Sequence, residues 1–566
     1  MKTNSIISII AFYMLCFQMA NAQQWRSSMY PENWQPAQPD SEGRFLHDFS
    51  YAGYHAGMKD IPVIKTNIVD VTKKPYNVDN KGVEDVTALL QKAIKDVEKA
   101  GGGVVYLPKG MYKVSVGEND KSALRITKNN VVLRGAGMDK TFIKNTTTNM
   151  RNKFLILVSP ENGTWQNSIA NTGVRIVSDL LLPTTTIPVE NVKGLKVGDE
   201  ILLGSECTAG FIEEHNCTNI WASLDDVAAG RTKSALRGPR FMRTITAIDA
   251  AKNIIEIDVP TRYFMKTRDN SRVWKPGAQI AECGIENLSV GNIENSNPDG
   301  WDDNTDFNIS GTGAYEVHSS YMVVVQNAKN CWVKQVASFR PQENKDDFHV
   351  LSNFLSLRDC RQVTVQKCNL QKSQYEGGGG NGYMYTLEGN DCLIDQCHAQ
   401  DGRHNYDFKN MSSNGNVIYK CTSKDPRYST DYHMYLSMSN LIDCFVSDGD
   451  YLEAYYRPYG QYGTPALNFH AYPATQSVYW NIKGIKKHPE RDYLIWSQQY
   501  KWGYIIGTSG VCNKVVTTPV KGEASYGGAT LKFDSGPEDF TEGIGKGETL
   551  VPQSLYMDQL NKRKSR

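Results

Sequence analysis

Residues 394–421 read IDQCHAQDGRHNYDFKNMSSNGNVIYKC and contain twice the phrase that decides the fold, as Ile394-Asp-Gln-Cys397 and Ile418-Tyr-Lys-Cys421. The same phrase of an apolar residue, two variable positions and a small residue recurs at 365–368 (VQKC) and 441–444 (LIDC), at intervals of 29, 24 and 23 residues. A period in the twenties is typical of a solenoid, in which each coil buries its apolar side only against its neighbours.

Short alternating runs precede these phrases, and they are the second signal of the fold. They read YMVVV (321–325), FLSL (354–357), YMYTL (383–387), YDF (406–408), HMYLS (433–437) and LNFHAY (467–472). Two or three short strands per coil, divided by Gly, Asn and Asp turns and without helical periodicity, predict an all-β parallel β-helix. The recurring cysteines then form an inward ladder, and packing is a better interpretation of them than metal binding or disulfides.

The first half contains a helix and a glycine turn ahead of the first coils. DVTALLQKAIK (85–95) has the pattern of an amphipathic helix, GGGVVYLPKGMY (101–112) is a glycine turn into a strand, and LRITKNNVVLRGAG (124–137) is a further coil. In these segments the chain resembles the pectate-lyase-type superfamily of right-handed parallel β-helix proteins. The resemblance implies a right-handed solenoid with an N-terminal capping helix. The superfamily includes lyases, hydrolases, epimerases and phage tailspikes, so several functions remain open.

The chain divides into five segments. Residues 1–22, with Lys2, an apolar run and Ala20-Asn-Ala22, read as a secretory signal, so we expect a secreted or periplasmic protein. The N-terminal helix and first coils follow at 23–175, and the main coils with the groove at 276–500. The period is lost at 176–275, which predicts an inserted β subdomain, and Cys207 and Cys217 there are close enough in sequence to pair. Residues 501–566 read as a C-terminal cap with a short helix.

The charge balance limits the partners. Lys and Arg number 62 against 61 Asp and Glu, a net charge of +1, so nothing in it favours nucleic acid. No later segment is apolar enough to span a membrane. We expect a monomer that meets an acidic polysaccharide through a local patch.

Stacking the coils predicts where that patch lies. With Leu387, Phe408 and Leu436 taken as equivalent inward residues, Tyr383 is in register with His404 and Tyr432. Neighbouring coils lie about 4.8 Å apart, so side chains on one face can share one ligand. The predicted outward cluster comprises Tyr383, Arg403, His404, Tyr406, Asp431, His433 and Tyr435, with Arg427 and Tyr428 on the preceding loop.

β-Elimination from a uronate polymer needs a group that neutralises the carboxylate, a base for the C5 proton and an acid for the leaving oxygen. We assign Arg403 to the first role, His404 or alternatively His433 to the second, and Tyr406 or Tyr435 to the third. The predicted substrate-binding residues are Tyr383, Arg427, Tyr428, Asp431, Arg457 and Tyr455. Arg457 and Tyr455 belong to a loop rich in tyrosine, with Tyr451, Tyr456, Tyr459 and Tyr462, that offers aromatic surfaces to sugar rings.

Two other functions and one metal stay open. A glycoside hydrolase needs a carboxylate pair, for which Asp407 with Asp431, or Asp346 with Asp347, are candidates. A glycan-binding β-helix without activity is the third possibility. The cluster has more His and Arg than Asp and Glu, so we expect no obligatory cofactor. Calcium remains possible because WDDNTDF (301–307) has a calcium-like composition, and the metal is left unassigned.

The sequence therefore predicts a secreted polysaccharide lyase that cleaves a uronic-acid-containing chain. A glycosaminoglycan such as hyaluronan or chondroitin, or a pectin-like polymer, fits this expectation.

Overall fold

The computed structural model describes residues 23–164, 173–232, 235–457, 470–526 and 529–566. The signal peptide predicted at 1–22, together with Tyr459 and Tyr462, lies outside the described residues. Nothing in the structure bears on those predictions.

Two long parallel sheets wind around a common core, which confirms the predicted right-handed parallel β-helix. In the first sheet many coils contribute two consecutive short strands with a bend between them. Its nineteen strands are Ile68–Asp70, Lys81–Asp85, Gly103–Leu107, Gly110–Val114, Val131–Gly135, Thr141–Asn145, Gly284–Asn292, Trp332–Ser338, Thr364–Gln366, Asn369–Gln371, Leu393–Asp395, His398–Gln400, Val417–Tyr419, Thr422–Lys424, Leu441–Asp443, Val446–Asp448, Val478–Lys486, Tyr504–Gly510 and Phe540–Glu542.

The second sheet closes each coil and carries the predicted cluster. Its twelve strands are Ser122–Ile126, Phe154–Val158, Ile280–Ala281, Tyr321–Gln326, Ala328–Lys329, Asn353–Arg361, Tyr383–Asn390, His404–Lys409, Thr430–Met434, Leu452–Ala454, Ile495–Ser497 and Val515–Val516. Two small pairings lie outside both sheets: Ser437–Met438 with Ala474–Thr475, and Lys521–Tyr526 with Ala529–Asp534.

The cysteine phrase marks the coils, with a slip of one residue at its last copy. Ile394 pairs with Ile418 and Ile418 with Ile442, so the last two intervals are both 24 residues. The alignment of Leu441 with Ile418 was therefore wrong. Because a slip of one residue exchanges the two faces of a strand, Cys444 leaves the core and donates a hydrogen bond from Sγ to the Gln553 carbonyl at 3.1 Å.

The remaining cysteines of the phrase do stack inside. The backbone amide of Cys368 lies 3.4 Å from Cys397 Sγ, and that of Cys397 lies 3.4 Å from Cys421 Sγ. All eleven cysteines among the described residues are free thiols. The expected pairing of Cys207 with Cys217 is therefore wrong, and both side chains are buried.

A helix at Thr87–Lys99 covers the N-terminal end of the core. Leu90, Ala93, Ile94 and Val97 recur at helical spacing and are all buried against the first coils. The glycine turn then leads into the first sheet, as the superfamily pattern predicts. The other helices are Ala209–Glu214, Leu224–Ala228, Gly313–Val317 and Leu555–Lys564, with short 3₁₀ turns at Tyr54–Gly57, Thr267–Asp269, Asp306–Asn308 and Gly547–Thr549.

The insertion is a separate antiparallel sheet. Its strands are Val174–Arg175, Thr186–Pro188, Glu200–Gly204, Arg240–Asp249, Ile254–Ile257 and Arg272–Trp274. Its apolar core is continuous with Met411, Leu436 and Tyr472 of the solenoid. Buried ion pairs join the two parts: Asp391 on the solenoid lies 3.1 Å from Arg243 and 2.5 Å from Arg262 of the insertion.

The solenoid continues beyond residue 500. Strands Tyr504–Gly510 and Phe540–Glu542 extend the first sheet. The predicted C-terminal helix is present at Leu555–Lys564 and packs along the outside of the first sheet, where the Tyr556 amide donates to the Asp443 carboxylate at 2.9 Å. The segment boundaries given above stay predictions. No helix in the described part of the chain is long and apolar enough to cross a membrane.

We predict that Asp391→Asn destabilises the protein by about 3 kcal/mol, because two buried guanidinium groups lose their counter-charge. Denaturant unfolding followed by tryptophan fluorescence measures the change. The matched control is Asp492→Asn, which breaks an exposed pair with Lys514 and should cost less than about 0.5 kcal/mol. Equal unfolding midpoints for the two variants would show that the buried pair does not stabilise the insertion.

Candidate active site

The predicted cluster forms where loops from the first sheet enter the second. Tyr383 pairs with His404 in the next coil, and their rings stack with centroids 5.1 Å apart. Leu387 pairs with Phe408, which is fully buried as predicted. The stacking of these two coils therefore follows the predicted register.

The register of the third coil was wrong by four residues. Phe408 pairs with Tyr432 rather than Leu436, and Asp407 pairs with Asp431. The strand ends at Met434, after which Tyr435 and Leu436 have φ values of 51° and 55°. At this left-handed bend Leu436 leaves the coil and packs in the core shared with the insertion. The repeat of the coils does not predict that position.

Tyr406, predicted as a catalytic acid, faces the core instead. It is fully buried, its ring stacks on Tyr385 at 4.8 Å, and its hydroxyl donates to the carbonyls of Cys397 and Thr422 at 3.0 and 3.1 Å. It shares the inward side with Phe408 because side chains two residues apart on a strand face the same way. The assignment of Tyr406 to the site was therefore wrong.

His433 and Asp431 form a close polar contact in the site. Nδ1 of His433 lies 2.7 Å from Asp431 Oδ2, and since a carboxylate accepts, Nδ1 carries the hydrogen. Burial, together with Arg457, Lys409 and Arg403, holds the pKa of His433 well below its usual value. The ring is therefore neutral, with a lone pair on Nε2.

His404 also carries its hydrogen on Nδ1, but a backbone carbonyl fixes this tautomer. Its Nδ1 donates to the Ser429 carbonyl at 2.7 Å, which leaves Nε2 as an acceptor. Burial and the neighbouring Arg403 hold the pKa of His404 well below its usual value. The rings of His404 and His433 meet edge to face, 5.5 Å apart, so two neutral imidazoles lie next to each other.

Three cations surround the imidazoles. Arg403 donates from Nη1 to the Tyr383 hydroxyl at 3.0 Å, and Lys409 Nζ lies 3.6 Å from the centre of the Tyr383 ring. Arg457 donates to the His433 carbonyl at 2.6 Å and lies 3.6 Å from Asp431 Oδ1. Behind Asp431, burial raises the pKa of Glu453, whose carboxylate accepts bonds from Ser429 and Tyr493.

Tyr383 is held as a proton donor. Its oxygen accepts from Arg403, so its own O–H is directed elsewhere, and burial raises its pKa against the opposing effect of Lys409 and Arg403. The phenol therefore stays protonated at neutral pH.

Asp407 lies beneath these groups and is fully buried. Lys409 Nζ is 3.2 Å from its carboxylate, yet neither carboxylate oxygen has a hydrogen-bond partner among the described residues. Burial and the neighbouring Asp431 raise the pKa of Asp407 to about 7. Burial disfavours the charged ammonium of Lys409, but Asp407 and the other acidic neighbours together outweigh it and raise that pKa. Asp407 and Asp431 are thus neighbours in adjacent coils, and both side chains are buried.

The other predicted residues lie around this cluster. Tyr428 lies 5.9 Å from the His404 ring, and Arg427 pairs with Asp303. Tyr455 stacks on Trp496 at 4.6 Å, with the Arg457 guanidinium 4.9 Å from its ring. Asp347 of the alternative carboxylate pair instead contacts Lys372 at 3.5 Å.

Sequence reasoning missed Lys409, His470 and the supporting carbonyl of Ser429. His470 packs on His433 at 4.8 Å and also approaches the Tyr435 ring, at 6.2 Å. Lys409 was detectable, since it follows Asp407 by two residues on the same face. His470 comes from a coil distant in sequence, and no local pattern indicates it.

A metal was left unassigned, and the structure provides a fit test. Among the described residues, His404, Asp431 and His433 are the group whose ligand atoms lie close enough together to hold an ion. Calcium takes six to eight oxygen ligands, whereas this group offers two imidazoles and one carboxylate beside three cations. In WDDNTDF, Asp302 accepts from the amides of Asn304 and Thr305, so it holds a turn. Neither place fits calcium.

Comparison with known proteins agrees with the architecture. Residues 68–197 match the family model described as rhamnogalacturonase A/epimerase, pectate lyase-like, across the helix, the glycine turn and the first coils. Over these residues the chain is similar to pectate-lyase-like proteins. The sequence is 45% identical over 76 residues to mannuronan C5-epimerase AlgE5 of Azotobacter vinelandii, and 45% identical over 71 residues to alginate lyase 7 of the same organism. These matches span 13% and 12% of this chain and only 8% of each relative.

Solved structures of similar proteins are also β-helices. The alginate lyase from Paenibacillus sp. FPU-7 superposes with a TM-score of 0.38 at 7% identity, over 76% of this chain and 95% of that one. The A-module of mannuronan C-5 epimerase AlgE4 from Azotobacter vinelandii has a TM-score of 0.30 at 12% identity, over 85% of this chain and all of that one.

We predict that the purified protein contains no stoichiometric calcium and that a chelator leaves its unfolding temperature unchanged, because three cations oppose an ion at the imidazoles. Elemental analysis and thermal scans with and without added Ca²⁺ or Zn²⁺ measure this. A bound metal that disappears in His433→Ala would contradict the prediction.

Proposed function

We propose that the protein is a polysaccharide lyase that cleaves a uronic-acid-containing chain by β-elimination. The observation that carries the proposal is the neutral His433, held by Asp431 and surrounded by three cations. A neutral imidazole accepts a proton, and the cations suit the carboxylate of a uronate. The short stretches of similarity to a mannuronan C5-epimerase and to an alginate lyase support a uronate substrate.

In this mechanism the substrate carboxylate lies against Arg403 and Arg457, which neutralise it and make the C5 proton more acidic. Nε2 of His433 removes that proton, and Asp431 stabilises the imidazolium that forms. The Tyr383 hydroxyl protonates the leaving O4 as the C4–O4 bond breaks. His404 lies beside both groups and is the alternative base.

Epimerisation at C5 is the second candidate, because it begins with the same proton removal. The two imidazoles, 5.5 Å apart, favour it, since an epimerase needs a second group that returns a proton. A hydrolase is less well supported, because Asp407 is enclosed and paired with Lys409. Elimination and epimerisation differ in the fate of the C5 carbanion.

Incubation with a panel of uronate polymers tests the proposal. A lyase produces ultraviolet absorbance from the conjugated C4–C5 double bond. An epimerase exchanges the C5 hydrogen with deuterated water without that absorbance, and a hydrolase produces only new reducing ends. His433→Ala should lower kcat by about a hundredfold or more. The proposal fails if no polymer gives unsaturated products.

Tyr383→Phe and Tyr406→Phe form a matched pair, since each removes one hydroxyl from neighbouring coils. We expect Tyr383→Phe to lower kcat by about a hundredfold through loss of the general acid. Tyr406→Phe should keep full activity and lose about 1 kcal/mol of stability, because its hydroxyl bonds only core carbonyls. Equal activity of the two variants would exclude Tyr383 as the acid.

The pH profile reports the protonation state of the base. Since the pKa of His433 lies well below 6.5, kcat/KM should hold its plateau below that pH and fall only when the imidazole becomes protonated. Arg457→Gln removes a cation facing the ring, so the pKa rises and the acidic limb moves to higher pH by about one unit. A limb that stays in place would contradict His433 as the base.

A further inference from the structure

A cleft of about 590 Å³ opens beside the active site on the side of the earlier coils. It lies among the loops that follow strands of the first sheet, as the active site does. Residues that line it include Trp301, Asp346, Phe348, Tyr375, Glu376 and Arg427. No step of the proposed elimination uses this cleft.

The cleft and the active site are continuous. Arg427 lies 5.2 Å from the Tyr428 ring, which borders His404, and its guanidinium pairs with Asp303 in the cleft. Gly382 lies between a residue of the active site and a residue of the cleft. A Cβ at this position would lie 2.7 Å from Arg403 Cβ and 3.0 Å from Glu376 Cα. Because coils repeat every 4.8 Å or so, close to the length of one sugar residue, a chain along this edge places neighbouring sugars in the two compartments.

The two compartments differ in charge. The active site sets Arg403, Lys409 and Arg457 against Asp407 and Asp431. The cleft instead has four acidic groups and two cations: Glu294, Asp303, Asp346 and Glu376, whose pKa burial raises to about 7, against Lys345 and Arg427. Asp303 and Arg427 neutralise each other, which leaves an excess of acidic groups. A second uronate in the cleft would bring its carboxylate next to like charges.

The cleft also offers an apolar surface. The Trp301 indole donates to the Asn297 carbonyl at 2.9 Å and remains partly exposed, with the Tyr375 ring 6.0 Å away at 59°. A Cβ at Gly313 would lie 2.3 Å from the Trp301 ring, so a glycine there lets the indole lie against the chain. An aromatic face packs against the C–H side of a sugar, and carboxylates accept from its hydroxyls.

We propose that this cleft binds an uncharged sugar residue linked to the uronate, so that the substrate is a heteropolysaccharide rather than a polymer of uronate alone. The inference rests on the proposed function, because it takes the active site as the compartment that holds the uronate. It adds the chemical class of the neighbouring residue.

The test compares two substrates and a matched pair of variants. Unsulfated chondroitin alternates uronate with an uncharged amino sugar derivative, and polygalacturonate consists of uronate alone. Wild-type kcat/KM should favour chondroitin by about tenfold or more. Asp346→Lys places a cation in the cleft and should raise kcat/KM on polygalacturonate by about fivefold. Asp347→Lys makes the same change one residue outside the cleft lining and should alter neither substrate.

Binding to His433→Ala separates this inference from the proposed function. Calorimetry with hexasaccharides of the two polymers needs no turnover. Tighter binding of the chondroitin hexasaccharide, lost in His433→Ala/Trp301→Ala, supports the inference even if elimination is never observed. Equal binding of both hexasaccharides, or equal effects of Asp346→Lys and Asp347→Lys, overturns it.

Discussion

Hydrogen-bonded coils lie about 4.8 Å apart, and this spacing brings the site together. Tyr383, His404 and Asp431 belong to three successive coils and are separated by more than twenty residues at each step. Each pairing depends on the inward stack of Leu387, Phe408 and Tyr432. A slip of one residue in any of these strands would exchange its two faces and move the proposed catalytic side chains away from one another.

The same packing makes the electrostatics effective. Buried Asp431 holds His433 on one oxygen, while its other oxygen has no hydrogen-bond partner among the described residues and faces Arg457 at 3.6 Å. In a site largely closed to water these charges act at reduced dielectric, so cations depress the pKa of both imidazoles. Asp407, whose pKa burial raises to about 7, only partly offsets Lys409, and under the proposed function the substrate carboxylate would supply the remaining negative charge.

The fold was predictable because it repeats. Ile394, Ile418 and Ile442 recur at a constant interval, and that period alone indicates the solenoid. The stacking was predictable only where the period continues: the register of Tyr383 with His404 was predicted correctly, whereas that of the coil containing His433 was wrong by four residues. The bend at Tyr435 and Leu436 changes the register of this coil with its neighbour, and no local sequence pattern predicts the bend. Tyr406 was misplaced because a tyrosine in a strand suits the core and a sugar site equally well.

The position of the proton donor favours elimination over epimerisation. The rings of Tyr383 and His433 meet edge to face, with centroids 5.8 Å apart. A base and an acid on one side of the sugar suit removal of the C5 proton and protonation of O4 from the same face. Epimerisation instead requires a proton delivered to the opposite face of C5. His404 stacks on Tyr383 with ring centroids 5.1 Å apart, so it lies beside the proposed acid. A donor on the opposite face would have to come from another side chain, and Tyr428 beside His404 and Tyr435 beside His470 carry hydroxyl groups near the cluster.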